Sequence, residues 1–264
     1  MDCEVKIPKR VMQTWKGPES TLPEAWKESP VSIRTMMPNW EYVLMTDEDN
    51  EAFIKKHFPQ YLEAFKGFRY GIQRADFIRY AWLYVMGGIY SDMDYRVDKP
   101  LDELFYVDRE FYVCPSGNFG DYYTNAIMAS KPGVDIWLRC LEEAVKPASW
   151  WAIGKHLEVM TTTGPLMLTR VVREVDPSRY HILNPRLLTP CSVCDAKPCT
   201  KEGGYLTTLP GSSWCGLDSM VYTYAKCHWR QIAILITIFV VVFIIIILLR
   251  AYRIPRDRRK AMKK

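Results

Sequence analysis

Two common nucleotide-binding signatures are missing from this chain. No GxGxxG and no GxxxxGK[ST] occurs, so neither a dinucleotide fingerprint nor a P-loop has a sequence basis. No N-x-[ST] triplet is present, which removes the acceptor for N-linked glycan. The opening residues MDCEVKIPKR have no apolar h-region, so no secretory signal peptide is expected there. Internal repeats are lacking, and the composition excludes collagen, coiled coil and disorder. An excess of one charge is lacking too, except at the very end. The formal charge is +5, yet the eight basic residues from Arg250 to Lys264, set against Asp257, carry +7 by themselves. The rest is close to neutral and offers no electrostatic footprint for nucleic acid.

What the chain does have is one long apolar run. Ile232 to Leu249 reads IAILITIFVVVFIIIILL, with Thr237 its single polar side chain. As a helix it spans roughly 27 Å, close to the hydrocarbon thickness of a bilayer. Trp229 and Arg230 on one side, and Arg250, Tyr252 and Arg253 on the other, are suited to the two interfaces. The expected organisation is therefore a domain over residues 1–228, a single transmembrane helix over 229–250 and a basic tail over 251–264. Residues 184–228, rich in Pro, Gly and Cys, form the membrane-proximal end of that domain and read as irregular.

The domain reads as α/β. Strands are expected at Arg10–Thr14, Glu41–Met45, Ile89–Ser91 and Phe111–Cys114. A loop containing Pro18, Pro23, Pro30 and Pro38 separates the first two. Thr46 to Asp49 caps a helix running towards His57. Ile72–Met86 reads as a helix stopped by Gly87-Gly88. Ile78, Ala81, Trp82 and Val85 lie on its apolar face, with Asp76, Arg79 and Tyr80 roughly opposite. Further helices are expected over Val134–Val145 and after the break at Thr161–Pro165.

Two Asp-x-Asp triplets occur, and their contexts differ. Asp47-Glu48-Asp49 sits at a helix start, where carboxylates satisfy free N–H groups and the helix dipole. Asp92-Met93-Asp94 follows a short apolar strand after Gly87-Gly88, where carboxylates are presented to a crevice. Hard divalent cations take oxygen ligands and bridge carboxylates to phosphates. A departing diphosphate needs that neutralisation, because its charge grows as the bond to the sugar breaks. Asp92 and Asp94 are thus the candidate catalytic and metal-ligating residues, with Mn²⁺ or Mg²⁺ as the cofactor. A solvated turn is the bland alternative.

The flanking residues supply more. Arg74-Ala75-Asp76-Phe77-Ile78-Arg79-Tyr80, Leu83-Tyr84 and Gly87-Gly88-Ile89-Tyr90-Ser91-Asp92-Met93-Asp94 resemble glycosyltransferase family 32, which includes fungal α-mannosyltransferases acting on glycoprotein glycans or inositol phosphoceramide. Ile7 to Gly17 is similar to the family's first strand and Asn39 to Asp47 to its second. The resemblance covers about residues 7–98 and continues thinly through Asn125 to Ser130 and Thr163-Gly164-Pro165. It implies a GT-A, Rossmann-like nucleotide-sugar-binding fold and a retaining hexosyl transfer. The donor it implies is GDP-mannose or a UDP-sugar. Carried over by position, Trp15 would stack on the base, and Asp76 and Arg79 would contact nucleotide and sugar. Tyr90 would line the pocket, Asp92 would face the ribose and sugar, and Asp94 would be the firmer metal ligand. Asn125 would touch the sugar. Trp214, in Pro210-Gly211-Ser212-Ser213-Trp214, is similar to a closing-loop tryptophan of related toxins.

The anchor places the acceptor at the membrane, as a lipid or a membrane glycoprotein. Three rival functions stay open: an inactive tethered binding module, a toxin-like transferase acting on protein, and a hydrolase using Asp92 and Asp94 as an acid–base pair. The basic tail favours a cytosolic C-terminus, with the domain in a Golgi- or ER-type lumen. There Cys191, Cys194, Cys199, Cys215 and Cys227 would form one or two disulfides; in the cytosol the first four could hold Zn²⁺.

Overall fold

A computed structural model describes residues 6–116, 122–188, 194 and 203–261, with side chains to residue 251. The chain divides into two compact units, Met1–Gly216 and Leu217–Lys264.

In the first unit the elements run β1 (Arg10–Thr14), α1 (Glu28–Met36), β2 (Glu41–Met45), α2 (Asp47–His57), α3 (Leu62–Gly67), α4 (Gly71–Met86), β3 (Gly88–Ser91) and β4 (Tyr95–Val97). They continue as β5 (Phe111–Pro115), β6 (Tyr123–Ser130), α5 (Ile136–Ala144), α6 (Gly154–Thr162), α7 (Pro165–Val172), β7 (Tyr180–Ile182), α8 (Pro185–Leu188) and β8 (Leu206–Thr208). The main sheet has the order β2-β1-β3-β6-β5-β7. β1 runs parallel to both β2 and β3, whereas β6 is antiparallel to β3 and β5. β4 and β8 form a separate antiparallel ribbon.

Strand alternation builds a core on both faces. Met12, Tyr90, Val113 and Met128 pack on one side with Phe77 and Ile78 of α4, Trp137 of α5 and Leu168 of α7. Their neighbours Val11, Ile89, Tyr112 and Ala129 pack on the other with Ile33 of α1. Neighbours along a strand point to opposite faces, so adjacent strand residues such as Val11 and Met12, or Tyr112 and Val113, are both buried, as a sheet covered on both sides requires. Fully burying a side chain such as Phe77 contributes about 1.5–3 kcal/mol.

The structure departs from the sequence reading at several places. The proline-rich loop contains the helix α1, because Pro30 falls in its first turn, where a missing N–H costs nothing. α4 is buried over much of its surface, with Asp76, Arg79 and Tyr80 as inaccessible as Ile78 and Ala81. Asp49 closes a capping box with Thr46, as a helix-start carboxylate should.

The segment expected to be irregular after Asn184 holds α8 and β8, and in the second unit it holds α9 (Leu217–Cys227). Leu217, Met220, Val221 and Tyr224 recur at helical spacing along α9. α10 (Trp229–Ala261) follows, and its stretch Trp229–Ala251 is 23 residues long and contains an 18-residue window with a mean hydropathy of 3.7. That stretch is long and apolar enough to cross a membrane. Cys194 and Cys227 are disulfide-bonded, whereas Cys215 is a free thiol. Cys191 and Cys199 lie outside the described residues. A zinc site using both Cys194 and Cys215 as thiolates is not what the described residues form.

Candidate functional site

The site hangs on the hand-over from α4 to β3. Gly87 and Gly88 adopt φ of +65° and +93°, a region costly for any residue with a Cβ. A Cβ on Gly88 would lie 2.5 Å from the Arg10 carbonyl oxygen, and one on Gly87 would lie 2.8 Å from the Pro132 nitrogen. Two glycines therefore let the chain reverse tightly and enter β3 between β1 and β6. β3 is only four residues long and wholly buried, so it delivers Asp92 at its end with little freedom. The Asp92 amide donates to the Ala126 carbonyl at 2.7 Å, and Gln13 Nε2 donates to the Asp92 carbonyl at 3.0 Å.

Arg79 organises the polar interior. Its Nη1 donates to Asp92 Oδ1 at 3.0 Å and to the Asn125 carbonyl at 2.7 Å. Its Nη2 lies 3.1 Å from Asp76 Oδ1, and its guanidinium sits 4.3 Å from the centre of the Tyr90 ring. The Tyr90 hydroxyl donates to the same Asp92 Oδ1 at 2.6 Å. Asp76 is satisfied from its other sides by Asn125 Nδ2 at 2.9 Å and by Thr163 Oγ1 at 2.8 Å. Asn125 also donates to Tyr80 Oη at 3.1 Å, and that hydroxyl donates to the Thr163 carbonyl. Arg79 is 2% exposed and Asp76 3%, so these are charges in a dry interior held by mutual pairing.

The electrostatics follow from that burial. Desolvation raises the Asp76 carboxyl to about 6, against the opposing pull of Arg79 and Thr163, so it is ionised at neutral pH. Burial works against the Arg79 charge, but the Asp92 and Asp76 carboxylates outweigh it and hold the guanidinium protonated. Burial keeps the Tyr90 hydroxyl neutral, hence a donor. Asp94 is pushed up to about 7, first by burial and then by the neighbouring Asp92 charge.

The two motif carboxylates are unequal. Asp92 is gripped through Oδ1, and none of these bonds uses its Oδ2. Asp94 has no ion-pair partner among the described residues, although its backbone carbonyl accepts from Leu209 N–H at 2.7 Å. A half-buried carboxyl lacking counter-charge, next to a carboxylate with an unused oxygen, fits a hard divalent cation. No cluster of three or more ligating side chains occurs among the described residues. A cation here would take its remaining ligands from phosphate oxygens and water, as Mg²⁺ sites commonly do.

Trp15 and Met93 belong to one small apolar cluster with Trp26, Leu44 and Leu209. Trp15 is half-buried at the end of β1, edge-on to Trp26 with ring centres 5.5 Å apart, and its Nε1 donates to Thr21 Oγ1. Asp76, Arg79, Tyr90, Asp92 and Asn125 thus share one network of bonds, whereas Trp15 packs in the neighbouring apolar cluster with Met93 and Leu209, and Asp94 meets that cluster through its carbonyl on Leu209 N–H. Trp214 stands apart, stacked on His156 with ring centres 5.5 Å apart, while Lys155 Nζ donates to its carbonyl. Sequence reasoning missed Gln13, whose amide also donates to Ser29 Oγ and accepts from the Tyr42 hydroxyl. The signal for it is a lone Gln in an otherwise apolar central strand.

A mixed sheet with parallel β2, β1 and β3, presenting a carboxylate pair at a strand end, defines a glycosyltransferase of the GT-A class. The same fold is seen in the ligand-free glycosyltransferase domain of the YGT toxin (TM-score 0.51, 10% identity, covering 68% of this chain and 80% of that one). Residues 23–109 match the family described as the glycosyltransferase sugar-binding region containing the DXD motif.

Among curated proteins, inositol phosphoceramide mannosyltransferase 3 of Schizosaccharomyces pombe is 31% identical over 96% of this chain and 70% of its own length. Inositol phosphoceramide mannosyltransferase 2 of the same yeast is 32% identical over 88% of this chain and 65% of its own. A mannosyl phosphorylinositol ceramide synthase of Saccharomyces cerevisiae is 33% identical over 64% of this chain and 42% of its own. The chain belongs to this family of DXD glycosyltransferases, family 32, and spans only part of its relatives' length.

Proposed function

We propose that the chain is a membrane-anchored, metal-dependent retaining mannosyltransferase, moving mannose from GDP-mannose to an inositol phosphoceramide-type lipid. The carrying observation is the asymmetry of the carboxylate pair: Asp92 is fixed by Arg79 and Tyr90, while Asp94 has no ion-pair partner among the described residues. The relatives named for inositol phosphoceramide mannosylation support mannose as the sugar and an inositol phosphoceramide-type lipid as the acceptor.

When bound, Mn²⁺ or Mg²⁺ neutralises charge on the departing diphosphate. Asp94 and the free oxygen of Asp92 hold it. Trp15 offers a face for the base. Arg79 and Tyr90 keep Asp92 in one rotamer, so that the sugar side of the site is preorganised and costs no rearrangement during transfer. The bond from the anomeric carbon to the diphosphate oxygen breaks as the acceptor oxygen bonds that carbon from the same face and passes its proton to the departing diphosphate oxygen, which retains the configuration. Asn125, held by Asp76 and Tyr80, contacts the sugar, whereas Trp214, stacked on His156 away from these residues, takes no part in this reading.

The catalytic unit faces the lumen of a Golgi- or ER-type compartment. Two observations support this side: the basic residues after the span, and the disulfides at Cys194 and Cys227, which persist in an oxidising space. A panel of nucleotide sugars assayed for hydrolysis and for transfer to inositol phosphoceramide, with Mn²⁺ or chelator, tests the reading. Hydrolysis of GDP-mannose that survives chelation, or no turnover of any donor, overturns it.

A further inference from the structure

In the loop between α5 and α6, Trp150 is 91% exposed, Trp151 49% and Ile153 78%. Among the other described residues of the first unit the most exposed large apolar side chains, Val31 and Tyr106, stand singly, which is ordinary for a protein surface. Three apolar side chains within four residues, two of them indoles, form a contiguous protrusion that water disfavours. Tryptophan is the residue most suited to a bilayer interface, having an apolar body and a polar N–H.

Three features select a lipid surface as its occupant. First, the chain carries a span beginning at Trp229, thirteen residues after the unit's last residue Gly216, so this unit is tethered beside a bilayer. Second, no acidic residue lies between Lys146 and Glu158, so the loop itself carries no charge that repels anionic headgroups, while Lys146 is paired with Glu143 and Lys155 with the Trp214 carbonyl. Third, the loop is connected to the site. α6 runs from it to Thr163, whose hydroxyl bonds Asp76, and nine helical residues cover about 14 Å. The first turn of α6 also holds the Pro210–Trp214 segment, through Lys155 on the Trp214 carbonyl and His156 on its ring.

We propose that Trp150, Trp151 and Ile153 enter the headgroup region of the membrane and form a second contact, beside the span, that holds the site at the lipid surface for its acceptor. The acceptor part rests on the lipid-transfer reading above. The contact itself does not.

The test compares the full-length protein with the Trp150→Ser/Trp151→Ser/Ile153→Ser variant in vesicles containing anionic lipid. Brominated lipids should quench tryptophan fluorescence of the parent more than that of the variant. GDP-mannose hydrolysis should be unchanged, which reports an intact fold. The apparent KM for a long-chain lipid acceptor should rise at least tenfold, while that for a short-chain, water-soluble analogue stays the same. Equal quenching in both proteins overturns the lipid contact, as does dimerisation in detergent that depends on the loop. Equal KM for the lipid acceptor overturns its role in acceptor access. Should the parent turn over no donor, the mannosyltransferase reading fails, and the quenching comparison still decides the contact.

Discussion

Arg79 Nη1 and Asp92 Oδ1 are 3.0 Å apart, joining the middle of α4 to the end of β3 across the turn at Gly87-Gly88. The pair fixes the motif carboxylate from inside the protein. Removing the cation leaves Asp76 and Asp92 without their shared counter-charge, and breaking a buried pair this way costs about 3–5 kcal/mol. Arg79→Ala should therefore unfold at markedly lower denaturant than the parent. Combining it with Asp92→Asn should recover part of the loss, which a double-mutant cycle measures as coupling. Additive effects would mean that the pair is not energetically joined.

Asp94→Asn separates chemistry from stability. The substitution removes a carboxyl that burial has already pushed up to about 7, so thermal stability without divalent cation should not fall. Turnover should fall at least 100-fold, and added Mn²⁺ should no longer shift the melting temperature of the variant. Parent-like Mn²⁺ stabilisation in Asp94→Asn would refute the assigned ligand.

Trp15→Ala should weaken donor binding by about 1–3 kcal/mol, the usual worth of a stacking face. Trp15→Phe should retain part of it. Calorimetric titration with the nucleoside diphosphate alone reads this without turnover, and equal affinity across all three proteins would remove Trp15 from the site.

Asp76 gives a pH signature. Its folded carboxyl sits at about 6, above the ordinary 3.8. Between those values the folded chain keeps a proton that the unfolded chain has released. Its contribution to stability is therefore greatest at low pH and is lost as pH rises through that window. Asp76→Asn has no such proton, so the stability of parent relative to variant should decline from pH 4 to pH 6. A flat difference would show that Asp76 titrates normally.

Gly88→Ala should lower both stability and activity. Its Cβ would meet the Arg10 carbonyl at 2.5 Å with φ at +93°, which forces β3 away from β1 and shifts Asp92 with it. Activity retained at the parental level would mean that the strand end tolerates displacement.

Much of this site was legible because it is local. Asp76, Arg79, Tyr90, Asp92 and Asp94 fall within nineteen residues, on a helix and strand whose limits are marked by Gly87-Gly88. The strands β1, β2, β3 and β5 were legible from short apolar runs bounded by turn residues. The partners from afar were harder. Gln13 reaches Asp92 across 79 positions and Thr163 reaches Asp76 across 87, and no local pattern encodes such pairings. The amphipathic reading of α4 placed Asp76 and Arg79 roughly opposite its apolar face. The structure encloses that face instead, because Asn125, Thr163 and Tyr90 satisfy its polar groups. α1 was obscured by Pro30, and α9 by the cysteines and glycines around it.

Thr163 has a consequence for how the protein comes into being on the ribosome. Synthesis releases Asp76 and Arg79 long before Asn125 and Thr163, which complete the bonding of Asp76. A nascent chain that ends short of residue 163 exposes Phe77, Ile78 and Trp82 and carries an incompletely paired carboxylate, so α4 has no finished interior to enter. The donor pocket consequently stays silent until nearly the whole first unit has emerged. Prematurely terminated products therefore lack the finished interior on which glycosyl transfer would depend.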